Sequence, residues 1–518
     1  MTDAALERAR LMLQRAEWAA AAFARYDRER VRRIVQAVAD VAYAKAQHYA
    51  EWAVRETGFG VVEHKRLKNE LCSRGLAEHY ADTDLVSARI DAGRKLVEVP
   101  RPAGIVFALT PSTNPVSTVY FKVLLALMTR NAIIISPHPM ARECCADAAR
   151  TLAAAAYQAG APDGVVQVID QPSIPLINAV MGDDRVDVIL ATGGTAVVRA
   201  AYRSGNPAIG VGPGNAPVLV DATADLPAAA KRLVDSKSFD NSVLCTNESV
   251  LVVEDKAADA FLRHLEAEGA YLATPAERDR LREFLFPDGH FNTAAVGKDA
   301  GWIAQQAGIQ VSPRTRVLLA PIELAVPEEP LAHEKLCPVL AVLRVPTVER
   351  GIRASRAILR IGGAGHSAAI HSTDPRTIMA YAAAVDVLRV AVNVGSSTGS
   401  AGFDTHLAPS MTIGTGFLGR SSVGENLRPE HLVNWTRIAY NADAAVPFGD
   451  FSGLQPWQTY PPQPVPMPPY PVASNARGHA GGPAADPVPS PAAPDELSVL
   501  REEIRRLVIE ELRELIKV

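Results

Sequence analysis

Cysteine is scarce in this chain, and what there is shows no order. Five are scattered through 518 residues, at Cys72, Cys144, Cys145, Cys245 and Cys337. The number is odd and the spacing matches neither zinc ligands nor a disulfide framework, so a reducing cytoplasm is the expected compartment. No apolar run approaches the ~18–20 residues that cross a bilayer. Residues 1–33 alternate alanine with charge at helical spacing and lack the apolar centre of a secretory signal. Charge of one sign is missing too. With 53 basic against 57 acidic residues the net charge is −4, which gives no electrostatic case for nucleic acid, and no membrane partner is expected. Aromatic residues make up only 6%, so the core must rest mainly on aliphatic side chains.

What is present is an alternation of two patterns. Apolar runs bounded by Gly, Pro or Asn predict buried strands at Gly104–Leu109, Ala132–Ser136, Val165–Ile169, Val186–Ala191, Val218–Val220 and Val250–Val253. Alanine-rich helical stretches such as Arg142–Ala159 and Thr195–Arg203 lie between them. Strand and helix in alternation predict an α/β fold whose parallel sheet is covered on both faces.

The composition then breaks. Between Pro456 and Pro494, 13 of 39 residues are proline, mixed with Gly, Ala and Ser. Residues 451–494 are therefore expected to form an extended, disordered linker, whose stretch from Pro456 to Pro494 reaches at most roughly 120 Å at ~3.1 Å per residue. Beyond it, residues 495–518 carry Leu497, Leu500, Ile504, Leu507, Val508, Leu512, Leu515 and Ile516 at helical spacing. Asp495 and Glu496 stand near the helix N-terminus, and Glu502 and Arg506 pair at i,i+4. An amphipathic helix on a long tether suits docking to another protein; folding back on its parent or pairing with a copy of itself are the other readings.

Three segments carry chemistry. Cys245 lies in Ser-Lys-Ser-Phe-Asp-Asn-Ser-Val-Leu-Cys-Thr-Asn-Glu, residues 236–248, directly before a predicted strand. A thiol at a strand mouth, approached through small polar residues, suits a nucleophile, because a few per cent of an ordinary cysteine is thiolate near neutral pH; a small buried hydrophobe is the other reading. Asn114, in Thr110-Pro111-Ser112-Thr113-Asn114-Pro115, follows the strand ending at Leu109, where ligands bind in open α/β sheets and where an amide can donate to an oxyanion. Asn-Pro is equally a turn former. Ala191-Thr192-Gly193-Gly194-Thr195 joins a strand to a helix, and its two glycines allow a phosphate to approach the helix N–H groups.

In this order and at these spacings the segments resemble the CoA-acylating branch of the aldehyde dehydrogenase superfamily, over about residues 1–440. The resemblance is carried by Thr110–Pro115, Ile135–Pro139, Ala191–Thr195, Ala208–Asn215, Ser236–Cys245, His333–Pro338, Gly362–His366 and Leu407–Ser410. It implies a three-layer α/β/α fold: an NAD-binding domain over 1–235, a catalytic domain over 236–427, and a small β oligomerisation element from strands around 88–100 and 428–450. It implies Cys245 as nucleophile and Asn114, with the Cys245 N–H, as oxyanion hole. It also places Glu334 on the nicotinamide ribose, Gly193 and Gly194 by the pyrophosphate, Ser136 and His138 by the adenosine ribose, and Thr110 and Pro111 in the cofactor site.

Hydrolytic members carry a glutamate base in a Glu-Leu-Gly-Gly segment. The corresponding position here is about Val211, in a loop without a carboxylate. Lacking a base worth typically 10²–10⁴-fold, the thioester is expected to be released by coenzyme A rather than water. The expected reaction is oxidation of a short-chain aldehyde, propionaldehyde or acetaldehyde, with NAD and coenzyme A to acyl-CoA. A hydrolytic dehydrogenase and a non-catalytic scaffold are the competing readings. The tail resembles an encapsulation peptide, which implies microcompartment shell proteins as partners of 495–518 and a homodimer or homotetramer inside the compartment.

Overall fold

The computed structural model describes residues 3–455. Of the linker expected over 451–494 and the amphipathic helix expected over 495–518, residues 456–518 lie outside the described residues; the linker's first residues are not extended, since Phe451 packs its ring on Tyr440 and Phe448 and the Leu454 N–H turns back to the Phe451 carbonyl. Among the described residues no helix is long and apolar enough to cross a membrane.

Two all-parallel sheets organise the chain. The first has five strands in the order Val166–Val168, Ala132–Pro137, Ile105–Thr110, Val188–Thr192, Ala208–Val211. The chain runs from the central strand outward to one edge, then returns to the other side of the centre. The loops after Thr110 and Thr192 therefore flank the point where strand order reverses, the place where a crevice opens outside the carboxyl ends of the strands. Helix Pro115–Met128 starts there with Pro115 in its first turn and is buried almost throughout. Its Lys122 ammonium donates to the carbonyls of Leu109, at 2.7 Å, and Leu190, at 2.9 Å, tying together the ends of the two strands that border the crevice.

The second sheet has seven strands, in the order Ala270–Leu272, Val317–Ile322, Val339–Val345, Glu248–Glu254, Ala216–Val220, Ala368–His371, Val390–Val392. Alternation along each strand divides two cores. Val250 and Val252 pack on one face with Leu318, Val339 and Leu343, while Leu251 and Val253 pack on the other with Val218, Leu319 and Leu340. Strands buried on both faces read as continuous apolar runs, which is why the sequence reveals them. A third, antiparallel sheet joins Arg89–Asp91, Leu96–Pro102 and Val433–Ala439.

The division between the two sheets does not fall at 235/236. Strand Ala216–Val220 already pairs with Glu248–Glu254 in the second sheet, and 235/236 lies inside helix Leu226–Ser238, which packs there through Leu233 and Val234. The crossing point is the Gly212–Asn215 loop. Residues expected at the end of the catalytic domain also return, since Met411 and Leu427 are buried in the core of the first sheet. Both strands flanking the loop are apolar runs, and nothing local tells which sheet an apolar strand joins.

Candidate active site

The crevice faces the carboxyl ends of the first sheet on one side. On the other it meets the segments that enter three adjacent strands of the second: Gly212–Asn215 before Ala216, Leu244–Asn247 before Glu248, and Glu334–Pro338 before Val339. It encloses a cavity of about 430 Å³. All nine residues singled out in the sequence line it: Thr110, Pro111, Asn114, Ser136, His138, Gly193, Gly194, Cys245 and Glu334.

On the cofactor side, the hydroxyls of Thr110 and Ser136 are buried without a hydrogen-bond partner. Buried polar atoms are seldom left so, and here both belong to residues of the cavity wall. A β-carbon at Gly194 would meet no atom within 4 Å, so packing within the protein does not demand glycine there; the space belongs to the cavity. The turn opens helix Thr195–Arg203, whose N-terminal N–H groups and dipole favour a phosphate. Orphan hydroxyls, open glycines and a helix N-terminus at the switch point fit a dinucleotide. His138 is exposed, and its Nδ1 accepts from the Met140 N–H at 3.2 Å, capping the next turn.

Cys245 is half-buried, and its side is apolar. Val211, Ala401 and Ile413 form a buried cluster against which Cys245 and Phe403 pack. Burial, with the Glu334 charge second, pushes the thiol pKa up to about 12. The resting sulfur is therefore protonated at neutral pH, and the small thiolate fraction of an ordinary cysteine is not available. Burial raises the Glu334 carboxyl to about 7, opposed by the Gly214 N–H, which donates to its Oε1 at 3.0 Å, and by Lys237 and Lys335. Glu334 is the one carboxylate among the residues lining the cavity. Position 211 holds a valine in the cluster against which Cys245 packs, where no base can act.

Asn114 Nδ2 donates to the Val243 carbonyl at 3.2 Å and to Thr113 Oγ1 at 3.3 Å. Sequence reasoning missed what lies behind it. Lys68 donates to Asn114 Oδ1 and to Asp240, and Lys65 donates to Asp240 at 3.0 Å. The clue, two lysines three apart on helix Val62–Glu70, reads in sequence as a solvated face. His366, in one of the family segments, is buried with Nε2 unpartnered and outside the cavity wall.

The profile of the Aldehyde dehydrogenase family matches residues 1–283. The chain is 37% identical over 438 residues to the bifunctional aldehyde-alcohol dehydrogenase of Escherichia coli, covering 83% of this chain and 49% of that one; it thus spans about half the length of the first curated relatives it matches. It is 35% identical to the acetylating succinate-semialdehyde dehydrogenase of Clostridium kluyveri, covering 84% of this chain and 96% of the relative. Among solved structures, an acetylating aldehyde dehydrogenase from Geobacillus thermoglucosidasius superposes with TM-score 0.83 at 36% identity, covering 85% and 97% of the two chains. A propionaldehyde dehydrogenase from a Clostridium phytofermentans fucose-utilisation microcompartment gives 0.76 at 27%, covering 84% and 98%. One from Rhodopseudomonas palustris, with bound CoA and an acylated cysteine, gives 0.76 at 28%, covering 83% and 97%. The chain belongs to the aldehyde dehydrogenase family.

Proposed function

We propose, for this member of the aldehyde dehydrogenase family, a CoA-acylating activity: oxidation of a short-chain aldehyde, propionaldehyde or acetaldehyde, with NAD and coenzyme A to acyl-CoA through a thioester on Cys245. The observation that carries the reading is the apolar cluster of Val211, Ala401 and Ile413 against which Cys245 and Phe403 pack, with a valine at position 211 where a carboxylate base would stand in a hydrolytic member. The Rhodopseudomonas palustris relative, with CoA and an acylated cysteine, supports it.

The Cys245 sulfur adds to the aldehyde carbonyl carbon as its proton leaves. Glu334, raised to about 7 and the carboxylate whose charge acts on this thiol, takes that proton in this reading. Charge collects on the former carbonyl oxygen, where Asn114 Nδ2 and the Cys245 N–H donate to it. Thr110, Ser136 and the Gly193–Gly194 turn would hold NAD, which would supply the hydride acceptor. Loss of hydride from the reacting carbon leaves the acyl group on sulfur. The apolar cluster gives water no base on its side, and a CoA thiolate then attacks the thioester carbon and expels Cys245 thiolate.

A hydrolytic reading draws on Glu334, whose raised pKa suits a base. Formation of NADH at 340 nm with propionaldehyde and NAD, with and without coenzyme A, tests the two. Sustained turnover only with coenzyme A supports acyl transfer to thiol; steady turnover without it overturns the proposal.

Encapsulation by residues 495–518 in a microcompartment and homodimer or homotetramer assembly through the three-stranded sheet belong to the same proposal. They are supported by the tail's sequence pattern, by the source of the Clostridium phytofermentans relative and by the pairing of Leu96–Pro102 with Val433–Ala439.

A further inference from the structure

We propose that Lys68, anchored by Asp240, is a positioning residue that orients and polarises Asn114. This rests on the reading of Asn114 as an oxyanion donor.

An amide side chain can present either its oxygen or its nitrogen to a cavity, and only the nitrogen stabilises an oxyanion. Lys68, 1% exposed, donates to Asn114 Oδ1. A charged donor on the oxygen fixes the flip, turns Nδ2 toward Val243 and the cavity, and draws electron density from the amide, making its N–H groups stronger donors. The bonds Nδ2 makes at rest, at 3.2 and 3.3 Å, are long enough to be given up for a better acceptor.

Charge counting agrees. Asp240, with no exposed surface, faces two ammoniums, Lys65 at 3.0 Å and Lys68. Lys65 alone would neutralise it, and Lys65 spends its remaining contact on the Thr113 carbonyl, at 3.0 Å. The second cation is in excess, and it is the one on the catalytic amide. Burial lowers Lys68 to about 8 while the Asp240 charge pulls it back up, leaving it charged at neutral pH.

Asp240 also belongs to the turn that leads to the other donor. Asp240, Asn241 and Ser242 have φ of 48°, 51° and 62°, three successive non-glycine residues in a conformation they seldom adopt. Asp240 ties the turn to residues 61–68 through the two lysines, the Val61 N–H at 2.7 Å, and its own N–H on His64 Nδ1 at 2.8 Å, while Asn241 Nδ2 donates to the Gly297 carbonyl at 2.9 Å and Ser242 Oγ to the Lys237 carbonyl. The turn delivers the chain to Cys245 and its N–H.

A kinetic cycle of Lys68→Met and Asn114→Ala tests this, with NAD affinity from fluorescence titration as the check on folding. Asn114→Ala alone should lower kcat by roughly 10²–10³-fold. Lys68→Met should lower kcat by roughly 10–100-fold, with KM for aldehyde and affinity for NAD within about 3-fold, because it weakens a donor used only as charge develops. In the Asn114→Ala background, Lys68→Met should cost less than about 3-fold more, since its route of action is gone. An undiminished second loss would overturn the inference while leaving Asn114 as a donor. Near-full activity of Asn114→Ala would overturn the oxyanion reading and this inference with it. If Lys68→Met does not fold, Lys68→Gln gives the same cycle with a polar side chain at the buried position.

Discussion

A β-carbon at Gly214 would stand 2.0 Å from the carbonyl oxygen of Cys245. The loop that crosses between the sheets therefore presses directly on the nucleophile's backbone, and its N–H holds Glu334 from the same position. Gly214→Ala must push the Cys245 peptide away, and a shift of about 1 Å at a reacting group costs on the order of 10²-fold. The expected outcome is a fall in kcat/KM of about 100-fold or more, with a stability loss of about 1–3 kcal/mol from overpacking. Thermal unfolding and steady-state kinetics on the same preparation check it; wild-type activity would mean the loop can move aside.

The resting thiol should titrate late. With the pKa of Cys245 near 12, the thiolate fraction grows roughly tenfold per pH unit through neutrality, so alkylation by iodoacetamide should accelerate from pH 7 to 10 without a plateau. A negative neighbour disfavours a second negative charge, so Glu334 raises this pKa and Glu334→Gln lowers it. The variant should be alkylated faster than the wild type at any one pH in that range. Slower or unchanged alkylation would separate Glu334 from the thiol electrostatically.

Thr110 and Ser136 offer a test of the cofactor side. Their hydroxyls have no partner within the protein, so Thr110→Val and Ser136→Ala remove nothing that holds the fold, and Tm should stay the same or rise. Each should weaken NAD binding by roughly 3–15-fold, the equivalent of about 0.5–1.5 kcal/mol for one hydrogen bond. Full affinity in both variants would move the dinucleotide off this wall.

How much of this is legible in the sequence follows from the range of each interaction. The strands are readable because burial on both faces leaves continuous apolar runs such as Val250–Val253, and the nine site residues sit at the ends of such strands or on the loops beside them. The ion cluster is not readable. Lys68 and Asp240 lie 172 positions apart, and charged residues are buried only when paired, so neither half predicts its own burial. The elevated thiol pKa is hidden for the same reason, arising from burial and from the Glu334 charge, with Val211 and the pair Ala401 and Ile413 packing on Cys245 from distant parts of the chain. The misplaced boundary at 235/236 reflects tertiary pairing of Ala216–Val220, which periodicity does not encode.

The tail reading makes a separable prediction. Residues 495–518 lie beyond every element that lines the cavity, so deleting them should leave kcat and KM within about twofold of the full chain. Co-purification with microcompartment shells should be lost. Retained encapsulation of the truncated protein would refute the targeting role without touching the chemistry.

The most direct challenge to the acylating reading is to supply the missing base. Val211 is 2% exposed and packs in the cluster that holds Cys245, so Val211→Glu places a carboxyl beside the acyl-enzyme. Burial among apolar side chains raises the pKa of such a group, which moves it toward the range where a general base works best at neutral pH. NADH production without coenzyme A should rise by roughly 10²-fold or more above the wild-type background, with free acid as product. Stability should fall by about 1–3 kcal/mol, the cost of a buried polar group with no assured partner. A variant that folds, binds NAD and still requires coenzyme A would show that water is kept from the thioester by shape rather than by lack of a base, and the argument from Val211 would then fail.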